Sequence, residues 1–164
     1  MALEIERKFL VTGNYKTFAT SSRHIVQGYI CSGQGRTVRV RLQDDCGYLT
    51  IKGPSADGGL SRYEFEKEIT REEALSLLRL CEPGIIDKMR WLVPSGRHVF
   101  EVDEFFGDNA GLVVAEVELS FPEETYERPS FLGREVTGDR RYYNSSLRRM
   151  PYKLWPADSD CQSF

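Results

Sequence analysis

Leu3-Glu4-Ile5-Glu6-Arg7-Lys8-Phe9 decides the fold, because apolar Leu3, Ile5 and Phe9 alternate with ionic Glu4, Glu6 and Lys8. Successive side chains of a β-strand point to opposite faces, so this stretch has one apolar face and one charged face. The alternation recurs along the chain. Arg39 and Arg41 alternate with Val38, Val40 and Leu42, and Lys52 is set against Leu49 and Ile51. Arg62, Glu64 and Glu66 alternate with Tyr63 and Phe65, while Lys88 and Arg90 are set against Ile85, Met89 and Trp91. Glu101 and Asp103 alternate with Phe100 and Val102, and Glu116 and Glu118 with Ala115, Val117 and Leu119.

Working outward, this period predicts strands over 3–11, 24–31, 37–43, 48–52, 61–69, 85–93, 97–105 and 112–119. Eight short strands suit a closed barrel. Residues 44–47 and 94–96 read as tight hairpin turns, and 54–59 and 107–111 as longer loops, so neighbouring strands run antiparallel. Gly33-Gln34-Gly35 reads as another hairpin turn; it opens no helix and is not a phosphate loop. A helix is predicted over 71–81, with Thr70 and Glu73 at capping-box spacing and Pro83-Gly84 as its stop. A second is predicted over 140–147 with Asp139 as N-cap. The fold class is mainly β with flanking helices (α+β), as one domain over 1–150 and a patternless tail over 151–164.

An ordinary half-exposed sheet mixes Thr, Ser, Gln and Lys on its wet face and balances signs between neighbours. Here Glu4 stands beside Glu6 and Glu116 beside Glu118. Such like-charged pairs repel unless a cation reverses the sign. The pattern predicts that the ionic faces line the bore of the barrel, with the apolar outer surface covered by the two helices and an outer layer. Dehydrating a dozen ions at several kcal/mol each would exceed a total stability of about 5 to 15 kcal/mol, so the bore is expected to be a wet tunnel. Basic side chains in it would gather an anion and acidic ones a metal ion, which suits a metal-chelated polyanion.

A formal net charge of -3 over 164 residues supplies no general basic field, and binding to a nucleic-acid polymer is not expected. No apolar run reaches membrane-spanning length, and the start Met1-Ala2-Leu3-Glu4-Ile5-Glu6-Arg7-Lys8 is too charged for a signal peptide, so a cytoplasmic location without membrane contact is expected. Cys31, Cys46, Cys81 and Cys161 lack paired spacing and read as free thiols. His24 and His98 stand apart from any motif, which leaves oxygen ligands for a metal.

Glu4-Ile5-Glu6-Arg7-Lys8 resembles the E-x-E-x-K signature that opens the CYTH family of triphosphate tunnel metalloenzymes. Gln27-Gly28-Tyr29, Arg39-Val40-Arg41, Lys52-Gly53, Arg62-Tyr63-Glu64-Phe65-Glu66, Asp87-Lys88-Met89-Arg90, Glu101-Val102-Asp103-Glu104-Phe105 and Glu116-Val117-Glu118 are similar to family segments in the same order. Glu135-Val136-Thr137 and Tyr143-Asn144 resemble its closing segment.

The resemblance implies an eight-stranded tunnel in which Glu4, Glu6, Glu116 and Glu118, with Asp103 as a further candidate, hold Mg2+ or Mn2+. It implies a phosphate cradle of Lys8, Arg39, Arg41, Lys52, Arg62 and Lys88, with Lys8 and Tyr29 aiding proton movement. Arg90, Glu64, Glu66 and Glu101 either join these sets or balance charge in the bore. The implied reaction is hydrolysis of a terminal phosphoanhydride by water, with tripolyphosphate going to pyrophosphate and phosphate. Nucleoside or thiamine triphosphatase, class IV adenylate cyclase and a non-catalytic polyphosphate- or nucleotide-binding module stay open. A lipid-carrying barrel is disfavoured by the ionic bore. The expected partner is a small triphosphate, and assembly as a homodimer is left open.

Overall fold

The alternating segments do form strands, and hydrogen bonding closes them into a ring. The computed structural model describes residues 3–156. In chain order it has β1 (Leu3–Val11), β2 (Ser21–Gly33), β3 (Arg36–Gln43), β4 (Cys46–Ala56), β5 (Ser61–Ile69), α1 (Arg71–Leu78), β6 (Ile86–Ser95), β7 (His98–Phe105), β8 (Val113–Glu118), β9 (Leu132–Glu135) and α2 (Asn144–Leu147). The sheet order is β5-β4-β3-β2-β6-β7-β8-β1, and the β1–β5 pairing closes an eight-stranded antiparallel barrel.

Strand β1 is the seam. One edge carries β8 from Glu6↔Glu118 to Leu10↔Val114. The other edge takes β5 at Leu3–Ile5 and β9 at Phe9 and Val11, with a shift of register between those two. The ninth strand has no counterpart in the sequence reading: Leu132-Gly133-Arg134-Glu135 is too short to show a period of two.

Three turn readings change. Pro94 and Ser95 belong to β6, opposite Val99 and His98, so that turn is only Gly96-Arg97. Cys46 and Gly47 already belong to β4, where Gly47 pairs with Leu42 and Ile69, so the turn is only Asp44-Asp45, with Asp44 at φ 52°. A Cβ on Gly47 would lie 2.8 Å from the Ala74 Cβ, and its absence lets α1 lie on the barrel wall. Strand β4 also runs on to Ala56, through Pro54. Helix α1 has the expected capping box, with Thr70 and Glu73 bonded reciprocally, but ends at Leu78. The second helix is broken: Asp139 caps a single turn of 3-10 helix at Arg140–Tyr142, Tyr143 is extended at ψ 135°, and α2 follows.

The outward apolar face is only partly covered. Ile5, Phe9, Phe100, Val102, Ala115 and Val117 pack under Tyr15 from the segment between β1 and β2, Phe131 from the segment between β8 and β9, and Leu132 at the start of β9, so these pieces and not the two helices cover that wall. Helix α1 lies over β2, β3 and β4. Over β4 and β5 the expected cover is missing, and Ile51, Tyr63 and Phe65 are exposed. The segment from Val136 to Leu147 does not flank the barrel. Leu10 and Phe105 follow, and Ile86 and Val114 precede, the charged series of their strands on the same face, and with Leu112, Val136, Tyr142 and Leu147 they form an apolar plug at one end of the bore. The tail reinforces it: the rings of Tyr142 and Trp155 sit 5.1 Å apart, as do those of Tyr152 and Trp155. Residues 157–164, including Cys161, lie outside the described residues. Among the described residues, no helix is long and apolar enough to cross a membrane.

Candidate active site

Closing the ring turns the ionic faces inward, around a cavity of about 220 Å³. Its lining includes Glu4, Glu6, Lys8, Tyr29, Arg39, Arg41, Lys52, Arg62, Glu116 and Glu118. Two candidates are placed elsewhere: Lys88 and Asp103 share the inward faces of β6 and β7 but lie beneath the cavity, fully enclosed. Arg90, Glu64, Glu66 and Glu101 do line it.

The buried floor is an ion cluster centred on Asp103. Arg90 donates Nε to its Oδ1 at 2.7 Å and Nη2 to its Oδ2 at 2.8 Å, a bidentate clamp, and Lys88 Nζ donates to Oδ2 at 2.8 Å. Burial alone would raise the Asp103 carboxyl, but the charges of Arg90 and Lys88 outweigh it and hold it at about 2. Burial pushes the Lys88 ammonium down to about 7 against the pull of Asp103, and Lys88 also donates to Asn144 Oδ1 at 3.0 Å. With both oxygens taken, Asp103 reads as the anchor of Arg90 and Lys88.

Above the floor, carboxylates and cations pair by register. Lys52 Nζ donates to both oxygens of Glu4, at 2.9 and 3.1 Å, and lies 3.6 Å from Glu64. Burial pushes the Glu4 carboxyl up, yet the charge and hydrogen bonds of Lys52 bring it below its ordinary value. Lys8 Nζ stands 3.5 Å from Glu116, and the charges of Glu116 and Glu6 overcome burial to keep the ammonium above its usual range. Glu6 has the opposite fate: burial, then the charges of Glu116 and Glu4, raise its carboxyl well above normal. Burial would raise Glu116, but the charges of Lys8 and then Arg90, helped by a hydrogen bond with Glu6, hold it well below normal. Glu118, on β8 opposite Glu6, is raised by burial and by Glu4.

The arginines are less fully matched. Arg39 donates Nη2 to Thr50 Oγ1 at 3.2 Å and lies 3.7 Å from Glu66, while its buried Nε has no partner. Arg41 donates Nε to Gln27 Oε1 at 2.9 Å; burial, then the neighbouring Arg39 and Arg90, push its guanidinium down to about 9, still a cation at neutral pH. An unpartnered guanidinium nitrogen beside a crowd of buried cations fits an anionic ligand. Tyr29 Oη accepts from Gln27 Nε2 at 3.3 Å, which leaves its own proton to donate.

Five lining residues escaped the sequence reading as site residues: Thr37, Thr50, Ser55, Gly59 and Ser145 are small uncharged residues with no charge pattern to mark them. Tyr143, noted only within the closing segment, lies against the cationic groups, 5.4 Å from Lys8 Nζ and 5.8 Å from Arg62 Cζ. Among the described residues, no three His, Cys, Asp or Glu side chains form a ready-made metal site, because the acids are held by cations or by one another. The donor set still fits a hard divalent cation. Glu4, Glu6, Glu116 and Glu118 offer oxygen ligands, and the charges of Glu116 and Glu4 already weigh on Glu6.

A closed antiparallel barrel with a charged bore, acids and bases interleaved and one end plugged, defines the tunnel class of phosphate-handling proteins. The sequence matches the family model of the CYTH domain over residues 2–149, and the chain belongs to the CYTH family. It is 47% identical to an inorganic triphosphatase of Acetivibrio thermocellus over 93% of this chain and 97% of that protein. It is 35% identical to an inorganic triphosphatase of Nitrosomonas europaea, over 88% of this chain and 95% of that one. A crystal structure of an inorganic triphosphatase superposes with a TM-score of 0.64 at 28% identity, covering 90% of this chain and 95% of its own.

Proposed function

We propose that this chain is a divalent-metal-dependent triphosphatase that cleaves inorganic tripolyphosphate to pyrophosphate and phosphate. The observation that carries the reading is the buried cationic wall of Lys8, Arg39, Arg41 and Arg90, in which Arg39 Nε has no partner, facing the carboxylates of β1 and β8. The names of the two relatives support it. In this reading Arg39, Arg41, Lys52 and Arg62 grip phosphate oxygens, Arg as a bidentate fork and Lys as a point charge. Lys88 and Arg90 set the potential of the floor, and Asp103 fixes both.

Glu4, Glu6, Glu116 and Glu118 would hold Mg2+ or Mn2+, which when bound neutralises phosphate charge and lowers the pKa of a water. Lys8 stays protonated, held against Glu116, and offers a proton donor toward the leaving oxygen. Tyr29 supplies a second, from the hydroxyl that Gln27 orients.

Inorganic substrate is favoured over nucleoside or thiamine triphosphates because nearly every lining group is charged or hydroxylic, and the plug leaves no apolar slot for a base. The test is phosphate release from tripolyphosphate, ATP, thiamine triphosphate and pyrophosphate, each with Mg2+, Mn2+ or EDTA. Fastest metal-dependent release from tripolyphosphate is expected. Preference for ATP would replace the reading with nucleoside triphosphatase, cyclic AMP formation would replace it with cyclase, and tight binding without release would leave a binding module.

A further inference from the structure

Beside the tunnel lies a second cavity, of about 470 Å³, between the β2–β3 hairpin, the end of β4 and the segment around α2. It shares Thr37, Ser55, Arg62, Tyr143 and Ser145 with the tunnel, so the two are continuous. Four arginines line it, Arg36, Arg62, Arg140 and Arg149, and no carboxylate does. In a chain of net charge -3 this is a local reversal of sign.

The four also differ from the arginines around them. Arg39, Arg90, Arg141 and Arg148 each pair with a carboxylate. Among the described residues, none of the vestibule arginines forms an ion pair. Arg62 donates to the carbonyls of Gly53 and Gly35 at 3.2 and 3.1 Å, and Arg149 donates to the Ser32 carbonyl at 2.9 Å. Arg36 donates to Gln34 Oε1 at 3.2 Å. Neutral acceptors fix these guanidinium groups and leave their charge uncancelled. Cationic groups focused in a cleft raise the local concentration of anions and their rate of capture.

We propose that this vestibule is a second oxyanion site, which captures a phosphate group outside the tunnel and passes it inward past Arg62. The binding is independent of the triphosphatase reading; only the inward traffic rests on it. Arg62 is the hand-over point, because it belongs to both cavities and its guanidinium lies over Tyr143.

The experiment uses R36Q/R149Q and R36Q/R140Q in the full chain, the second pair because, among the described residues, the side chains of Arg36 and Arg140 make no bond to the barrel backbone and can be lost without unseating α2. Calorimetric titration with pyrophosphate in EDTA should show two classes of site in the parent, and only the tunnel class in both variants. With tripolyphosphate and Mg2+, kcat should be unchanged and kcat/KM should fall by about tenfold at low salt, with the gap closing as salt screens the vestibule. A parent with one class of site, or variants that keep both, overturns the proposal. Equal kcat/KM at low salt also overturns it. If the parent turns over no triphosphate, the triphosphatase reading fails, and the calorimetry alone decides the vestibule.

Discussion

Asp103→Asn exposes how the floor of the tunnel is held. Asp103 is 2% exposed and accepts three charge-assisted hydrogen bonds of 2.7, 2.8 and 2.8 Å, while Lys88 beside it is 0% exposed. Asparagine keeps the shape but removes the charge, and it turns an amide donor toward groups that can only donate. Removing one partner from a buried ion cluster costs about 3–5 kcal/mol, because the partners left behind stay desolvated. For a chain of this length 1 kcal/mol moves Tm by about 2–4 °C, so a drop of roughly 6 to 20 °C is expected in thermal unfolding followed by circular dichroism at neutral pH. The pH dependence gives a second check. The Asp103 carboxyl is depressed to about 2 from its ordinary 3.8, so its contribution is whole above the ordinary value and is lost as pH falls through the folded one. At about 1.4 kcal/mol per pH unit the shift is worth roughly 2–3 kcal/mol in full, and the parent should lose most of it, about 2 kcal/mol, between about pH 5 and pH 2. A Tm drop of less than about 2 °C, or a gap that does not narrow in acid, would refute the clamp as described.

Glu6→Gln should abolish metal-dependent hydrolysis yet stabilise the metal-free barrel. The raised carboxyl of Glu6 gives stability below its ordinary 4.5 that fades as pH rises, so the variant's Tm advantage in EDTA should grow from acid to pH 8, and a lower Tm at pH 8 contradicts this. Arg39→Ala removes a charged phosphate donor worth about 1.5–3 kcal/mol, so KM for tripolyphosphate should rise by about 10- to 100-fold with a smaller change in kcat; an unaltered KM takes Arg39 out of the cradle. Glu4→Gln releases Lys52, and calorimetry in EDTA should find tripolyphosphate bound more tightly than by the parent, whereas with Mg2+ turnover should be lost. Weaker binding in EDTA would show that Glu4 does not compete with the anion for Lys52. Ending the chain at Met150 strips Tyr152 and Trp155 from Tyr142, and the melting midpoint should fall by several degrees, as read by calorimetry; no change would mean that the plug stands without the tail.

The barrel was legible in the sequence because its chemistry has the period of its geometry. Glu4, Glu6 and Lys8 on one face, and Ile5 and Phe9 on the other, specify the inside and outside of β1 without knowledge of any other strand. What has no period was missed. The strand Leu132–Glu135 is too short to show a period, and its side-chain contacts with β1, Glu135 with Arg7 and Leu132 in the cluster of Ile5 and Phe9, arise only after the pairing, just as Val136 and Tyr142 meet Leu10 and Phe105 only once the barrel exists. The break at Tyr143 was hidden for a related reason. The run after Asp139 carries helical spacing, but Tyr143 places its ring against Lys8 and Arg62. Charge type told which residues face the bore, but not depth: Lys88 and Asp103 share the alternation of Arg90 and Glu101 and differ only in lying nearer the plug.

Depth matters because it separates two kinds of ion pair in one bore. Beneath the cavity, Asp103 is satisfied by Arg90 and Lys88 and has no oxygen to spare. In the cavity, seven glutamates face six lysines and arginines, so the empty tunnel approaches neutrality by pairing them with one another. Glu4 with Lys52, and Glu116 with Lys8, are pairs of that kind. An anion arriving alone would take the cations and strand the carboxylates, and a metal arriving alone would do the reverse. Only the two together satisfy both sets, and that charge balance is the argument from these side chains for the metal-chelated polyphosphate proposed above.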